Sequence, residues 1–231
     1  MPPVGNDVVD LRETGNRGKS RDERFLDRVF TPEERSLLAG AVCPDALLWA
    51  LWASKEAAYK AVSRNDPGVC SIPRRYRVAL DGENLCKPID VAGFAGRLAG
   101  RVLTPRGEVA LRVIVTDDYV HALTAGSEDD LAGIIQRVDR MGVAENAGGV
   151  HRVEHVGDRK NTGDPSAFVR VQLLLEIARR LRFPVDDLEI RKDSEGPGAP
   201  RVFLRDRPLA AEISLSHDGR FTAFALCLSR S

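Results

Sequence analysis

The chain has 231 residues, with Lys+Arg 34 against Asp+Glu 34 and an apolar fraction of 43%. That length suits one large domain or two subdomains of about 100 residues each, and the apolar content suffices for a sizeable core. Balanced charge gives no support to nucleic-acid binding, and no apolar run approaches the roughly 18 residues of a membrane span. The N-terminal Met-Pro-Pro-Val-Gly-Asn-Asp has neither the basic nor the apolar region of a secretory leader. The cysteines Cys43, Cys70, Cys86 and Cys227 include no C-x-x-C pair. They read as small core residues in a reducing compartment. A soluble, cytoplasmic protein is expected, with neither membrane nor nucleic acid as a partner.

Val4 to Leu11 (VGNDVVDL) reads as a short strand, followed by a polar loop, Arg12 to Glu23. Arg24 to Phe30 is an amphipathic turn or short helix. Thr31-Pro32-Glu33-Glu34 has a Thr N-cap, a first-turn proline and an acid at the third helical position, which is a capping box. That helix stops near Gly40. Pro44-Asp45 opens a longer helix closed by Asp66-Pro67-Gly68, with Leu48, Leu51, Trp52, Ala58, Tyr59 and Val62 at helical spacing. Alternation predicts strands at 75–80, 108–115 and 120–125. Within 127–142 a short helix is expected over DLAGIIQRVDRMG, and the Gly/Asn/Asp/His-rich text after it reads as an exposed linker. Phe168 to Phe183 is a strong amphipathic helix, with strands at 188–191, 201–204, 212–215 and 220–228. Each half thus runs from a long helix into strands and ends in a hairpin (DDYVHALTAG and HDGRFTAFAL). That order suggests two α+β subdomains related by duplication.

Four groups of residues invite chemistry. Trp52, Glu56 and Lys60 recur four apart and share one helix face. An isolated Glu–Lys pair at this spacing is ordinarily a weak surface pair, but this helix is otherwise apolar and bears two tryptophans. Asp7 lies inside a Val-rich strand, where an acid is disfavoured. It reads either as an edge or turn aspartate or as a magnesium ligand at a sheet end. Ser214-Leu215-Ser216-His217-Asp218-Gly219 reads either as an ordinary hairpin tip or as a phosphate site with hydroxyl and imidazole donors. His151 and His155 have helical metal-ligand spacing without a third ligand nearby.

Together these stretches resemble the 4′-phosphopantetheinyl transferase superfamily. The matching segments are Gly5-Asn6-Asp7, Phe30-Thr31-Pro32-Glu33-Glu34, Trp52-Ala53-Ser54-Lys55-Glu56-Ala57-Ala58-Tyr59-Lys60 and Ser214-Leu215-Ser216-His217. The resemblance implies an α+β fold, a pseudo-dimer of two similar subdomains, each a long helix packed on a small antiparallel sheet. The divisions would be 1–126, a linker at 127–165 and 166–231. In two-subdomain, surfactin-type members the Ser-His hairpin runs directly into the Gly-x-Asp strand. Here the order is reversed, which implies a circular permutation and a monomer. The implied activity is magnesium-dependent transfer of a phosphopantetheine arm from coenzyme A to a serine of an apo carrier protein (acyl, polyketide or peptidyl). Asp7 and Glu56 would bind Mg2+. Glu56, or water beside it, would take the serine proton, and Lys60 would stabilise the departing 3′,5′-ADP. Lys55, Ser216 and His217 would contact coenzyme A phosphates. The third acid common in surfactin-type enzymes is Val9 here, and the Gly-Lys-Pro stretch reads Gly198-Ala199-Pro200, with Arg201 as a replacement for its lysine. The alternatives are a catalytically inactive homologue that binds carrier proteins or nucleotides, and a plain α+β binding domain.

Overall fold

The computed structural model describes residues 3–64, 66, 68–81, 96–141, 164–192 and 199–229. Strand β1 (Val4–Asp10) is followed by helices α1 (Glu23–Val29), α2 (Pro32–Ala39) and α3 (Pro44–Ser63). Then come strands β2 (Arg77–Leu80), β3 (Gly96–Thr104), β4 (Gly107–Val115) and β5 (Tyr119–Ala125), the short helix α4 (Glu128–Ala132) and strand β6 (Ile135–Arg140). Helix α5 (Pro165–Leu181) and strands β7 (Leu188–Lys192), β8 (Pro200–Leu204), β9 (Arg207–Pro208), β10 (Ala211–Asp218) and β11 (Phe221–Leu228) complete the order. All strand pairs are antiparallel, in sheets ordered β1-β5-β4-β3-β2, β10-β11-β6 and β7-β8-β9. The fold is α+β. The same pairing recurs in both halves: an N-terminal strand joins the last strand of the closing hairpin, giving β1-β5-β4 and β6-β11-β10.

The layers run helix, sheet, sheet, helix. Helix α3 lies on one face of the five-stranded sheet, β10 and β11 pack against β1 on the other, and α5 covers the far side of β10 and β11. Strand β1 is therefore enclosed. Its odd residues face α3: a Cβ at Gly5 would stand 1.9 Å from the Ala57 carbonyl oxygen, and Val9 joins the core around Leu48, Leu51 and Ala57. Glycine is required at this crossing because helix and strand backbones nearly touch. The even residues face the second half, where Val4 packs near Ala225 and Val8 near Phe221 and Ala223.

The capping box forms as the sequence predicts, with Thr31 and Glu34 exchanging hydrogen bonds. Three expectations change. The segment after Ser127 holds only α4, which ends at Gly133, and residues 135–140 are a strand. The β-branched Ile135 and Val138 sit on opposite faces of this strand, the first against the core under α5 and the second beside Val8 and Phe221, and β11 has an outer edge that β6 pairs. Strand β3 carries glycines that mask its pattern. One of them is a packing requirement, since a Cβ at Gly100 would lie 2.2 Å from the Ala79 carbonyl oxygen of β2. Cys43 and Cys227 are half-buried and Cys70 is exposed, so these cysteines are not core residues. Cys86, His151, His155, Gly198 and most of the expected linker lie outside the described residues.

Asp10, which faces away from α3, fastens the two halves. Its carboxylate accepts from Arg220 Nε (2.8 Å), Arg220 Nη2 (2.7 Å) and the Arg220 backbone N–H (3.0 Å). The Arg12 N–H adds a bond at 2.9 Å. Burial pushes this carboxyl up, but the Arg220 and Arg12 bonds outweigh it and hold it down at about 2. Its stabilising effect is therefore complete above the unfolded carboxyl's titration and is lost as pH falls towards about 2. Asp10→Asn should cost about 2–4 kcal/mol at neutral pH, because it breaks the paired bonds to Arg220 and leaves that charge only Asp118, at 3.4 Å, as a partner among the described residues. Denaturant unfolding at pH 7 and pH 3 checks this; the gap between variant and wild type should narrow at the lower pH.

Candidate active site

The parity of β1 places Asp7 on the face that meets α3, and the helical spacing of Glu56 and Lys60 turns both towards it. Lys60 Nζ donates to Asp7 Oδ1 at 2.7 Å and to the Asn6 carbonyl at 3.1 Å. Burial pushes the Asp7 carboxyl up against the pull of Lys60. Burial and the Asp7 charge likewise push Glu56 up, again opposed by Lys60. The hairpin tip of the second half adds two groups close enough to act on Asp7: the Asp218 charge raises its pKa and His217 lowers it. Asp7, Glu56 and Lys60 are thus drawn to one place from β1 and α3, with the end of β10 near enough for its charges to bear on Asp7.

The hairpin serines have a different setting from the one the resemblance implies. Asn6 is fully buried, and its Nδ2 donates to the Ser214 carbonyl at 2.8 Å. That fixes the amide so that its oxygen faces Ser216, whose hydroxyl donates to it at 2.6 Å. The Asn6 N–H donates to Ser214 Oγ at 3.0 Å. The single Ser216 proton is therefore committed within the protein, and its hydroxyl has no donor left for a phosphate. His217, on the opposite face of β10, is exposed.

Lys55 is also corrected. It is 1% exposed, and its ammonium donates to Glu34 Oε1 (2.8 Å), the Tyr76 carbonyl (2.5 Å) and the Pro73 carbonyl (3.3 Å). All three protons are used in the core, and no phosphate reaches them. Glu34 also accepts from the Val78 N–H at 2.9 Å. The acid of the capping box is thus the buried partner of the motif lysine. Burial pushes the Lys55 ammonium down, and the Glu34 charge counters it. Arg201 stands in β8, and its charge bears on Arg64, which is bonded to Glu212 at 2.7 Å and to the Ile213 carbonyl.

The sequence reading missed Asn6, Glu34 and Asp218 as site-building residues. The signal for Asn6 was an amide inside a Val-rich strand, where it is as disfavoured as an acid. The two halves also differ at the Asp7 position. Tyr119 and Phe221 open the two closing strands and their rings meet at 4.9 Å. Asp7 pairs with Ala122, three residues after Tyr119, and Arg137 pairs with Phe224, three after Phe221. Arginine therefore occupies the place of the acid in the second half. Among the described residues no group of three or more His, Cys, Asp or Glu is arranged to hold a metal, and Val9 lies in the core. The Asp7 and Glu56 carboxylates remain, a donor set that suits magnesium, which takes one or two carboxylates and completes its shell with water and phosphate oxygens.

A glycine facing a helix backbone, an acid on the same strand face and a Glu–Lys pair on that helix define a carboxylate site under a helix, completed by a hairpin from the other half. The family model of the 4′-phosphopantetheinyl transferase superfamily matches residues 3–81. A holo-[acyl-carrier-protein] synthase of Bradyrhizobium diazoefficiens is 30% identical over 130 residues, covering 50% of this chain and 85% of that protein. One from Paramagnetospirillum magneticum is 34% identical over 121 residues, 50% of this chain and 86% of its own. A third, from Rhodopseudomonas palustris, is 28% identical over 130 residues, with 50% and 85% covered. The chain belongs to the 4′-phosphopantetheinyl transferase superfamily. It is a transferase of that type, and no described helix is long and apolar enough to cross a membrane.

Lys55→Met should lose about 3–5 kcal/mol of stability, because Glu34 is left charged and buried. The double variant Glu34→Gln/Lys55→Met should recover a large part of that loss. Denaturant titration of the three proteins checks it.

Proposed function

We propose that the chain transfers the 4′-phosphopantetheine group of coenzyme A to a serine of an apo acyl or peptidyl carrier protein, releasing 3′,5′-ADP. The observation that carries this reading is the convergence of Asp7, Glu56 and Lys60, with Lys60 Nζ 2.7 Å from Asp7 Oδ1. Asp7 and Glu56 would hold a magnesium ion. When bound, it would supply positive charge against the pyrophosphate of coenzyme A. Glu56, whose carboxyl is pushed up by burial and by Asp7, suits a group that accepts the carrier serine's proton, directly or through water. Lys60 suits stabilisation of the charge that develops on departing 3′,5′-ADP. His217 would contact coenzyme A phosphates from the second half, with Ser216 holding its strand in place and Arg201 further along the same half.

The synthases that match are covered over 85–86% of their length by half of this chain. One synthase-like unit plus a second of the same strand order supports a permuted two-part enzyme in one chain acting as a monomer; its second part takes in β6 (Ile135–Arg140), so it begins ahead of the 166 boundary that the sequence suggests. Arg137 in the place of Asp7 supports a single magnesium site per chain, since an arginine there offers no carboxylate ligand.

Incubation with coenzyme A, magnesium and several apo carrier proteins, read by mass spectrometry, should show one added phosphopantetheine arm. No addition to any carrier would refute the reading. Asp7→Ala and Glu56→Ala should each abolish transfer in a folded protein, and magnesium should titrate to one ion per chain by calorimetry. A catalytically inactive carrier- or nucleotide-binding homologue would instead bind coenzyme A or carrier without turnover.

Stability gives a second check. A folded carboxyl with a raised pKa binds more protons than its unfolded counterpart, so stability falls as pH rises through the interval between the two. Glu56→Gln should therefore raise Tm of the metal-free protein at neutral pH, by about 2–4 °C, while abolishing transfer. Differential scanning calorimetry should show a larger gain at pH 8 than at pH 4, below the unfolded carboxyl's titration.

A further inference from the structure

Asp7, Glu56 and Lys60 belong to β1 and α3, and these two elements are locked together at the Gly5–Ala57 crossing. His217 belongs to β10, in the other half. Strands β1 and β10 are both sheet edges, and side chains join them where a strand ladder would otherwise run. Asn6 lies at the centre of that join. Its side chain holds the Ser214 carbonyl at 2.8 Å and the Ser216 hydroxyl at 2.6 Å. Its backbone N–H holds Ser214 Oγ at 3.0 Å, and its carbonyl accepts from Lys60 at 3.1 Å. The next residue along the strand is Asp7.

Resting on the transferase reading above, we propose that Asn6 is a positioning residue for coenzyme A. It sets the strand that carries His217 against the Lys60–Asp7 pair. The chemistry of the amide supports this assignment. Ser214 presents a carbonyl acceptor and Ser216 a hydroxyl donor, and only a side chain with a donor and an acceptor side by side answers both. An apolar residue of similar size would leave both partners buried and unpaired, which costs more than a bond to water. Aspartate would lose the donor and add a charge next to Asp7. The Asn6 amide therefore acts on the reaction through His217 and coenzyme A affinity, while Asp7, Glu56 and Lys60 keep their mutual geometry.

The test is a double-mutant cycle read by both calorimetric coenzyme A affinity in magnesium and transfer kinetics. Asn6→Ala should weaken coenzyme A binding and raise its KM by about ten-fold, with kcat within about three-fold of wild type. His217→Ala should do the same, and the double variant should be no worse than His217→Ala alone, because the two residues act as one unit. Ser216→Ala removes one bond without changing strand volume and serves if Asn6→Ala does not fold. It should weaken affinity by a smaller factor, and again by nothing further in the His217→Ala background. Multiplied effects, unchanged coenzyme A affinity in a folded Asn6 or Ser216 variant, or a fall in kcat alone would overturn the proposal. Wild-type protein that binds coenzyme A but never loads a carrier would sink the transferase reading while the affinity cycle still tests Asn6. Wild-type protein that does not bind coenzyme A would overturn both.

Discussion

The structure depends on enclosing a strand that is also a sheet edge. Strand β1 has α3 on one face and β10–β11 on the other, and one of its lateral edges is not paired by a strand. Buried backbone groups at such an edge need partners, and here side chains of the second half supply them. Ser214 Oγ receives the Asn6 N–H, and Asp218 Oδ2 receives the Asp10 N–H at 2.8 Å. The residues that satisfy the edge also fix the second half against it. Stability and site assembly are thus one problem in this protein. The hairpin that closes the edge also carries His217 at its tip.

Adjacent residues of α3 illustrate how a helix separates roles. Lys55 and Glu56 are neighbours in sequence but point about 100° apart on the helix. Lys55 enters the core and meets Glu34, a pair shielded from water and bonded to two carbonyls. Glu56 turns to the rim, where its charge conflicts with Asp7. The first arrangement ties α2, α3 and the Pro73–Tyr76 turn into one unit. The second is electrostatically unfavourable for the carboxylates and only partly offset by Lys60, the kind of stability cost that functional sites commonly carry.

The halves share a pairing order but not a charge pattern. The position of Asp7 in β1 is filled by Arg137 in β6, so the two pseudo-equivalent places oppose each other in sign. Asp10 and Arg220 then bind across the junction, with Asp118 of the first half near the same guanidinium at 3.4 Å. Both arginines are met by carboxylates, Arg137 by Asp139 at 2.6 Å and Arg220 by Asp10, so the junction is balanced in charge.

The sequence by itself determined what depends on local chemistry. The capping box at Thr31–Glu34, the long helix from Pro44, the strand around Asp7 and the closing hairpins were all legible. Each rests on spacing, capping or turn residues acting over a few positions. The tertiary structure decided the rest. It alone showed that Lys55 is buried with Glu34, that the Ser216 proton belongs to Asn6, that residues 135–140 pair with β11, and that Gly100 answers a neighbouring strand. Those outcomes depend on contacts between residues 21 to 210 positions apart. A motif records which side chains are present, but whether a lysine or a serine keeps its protons for a ligand depends on what the fold places beside it.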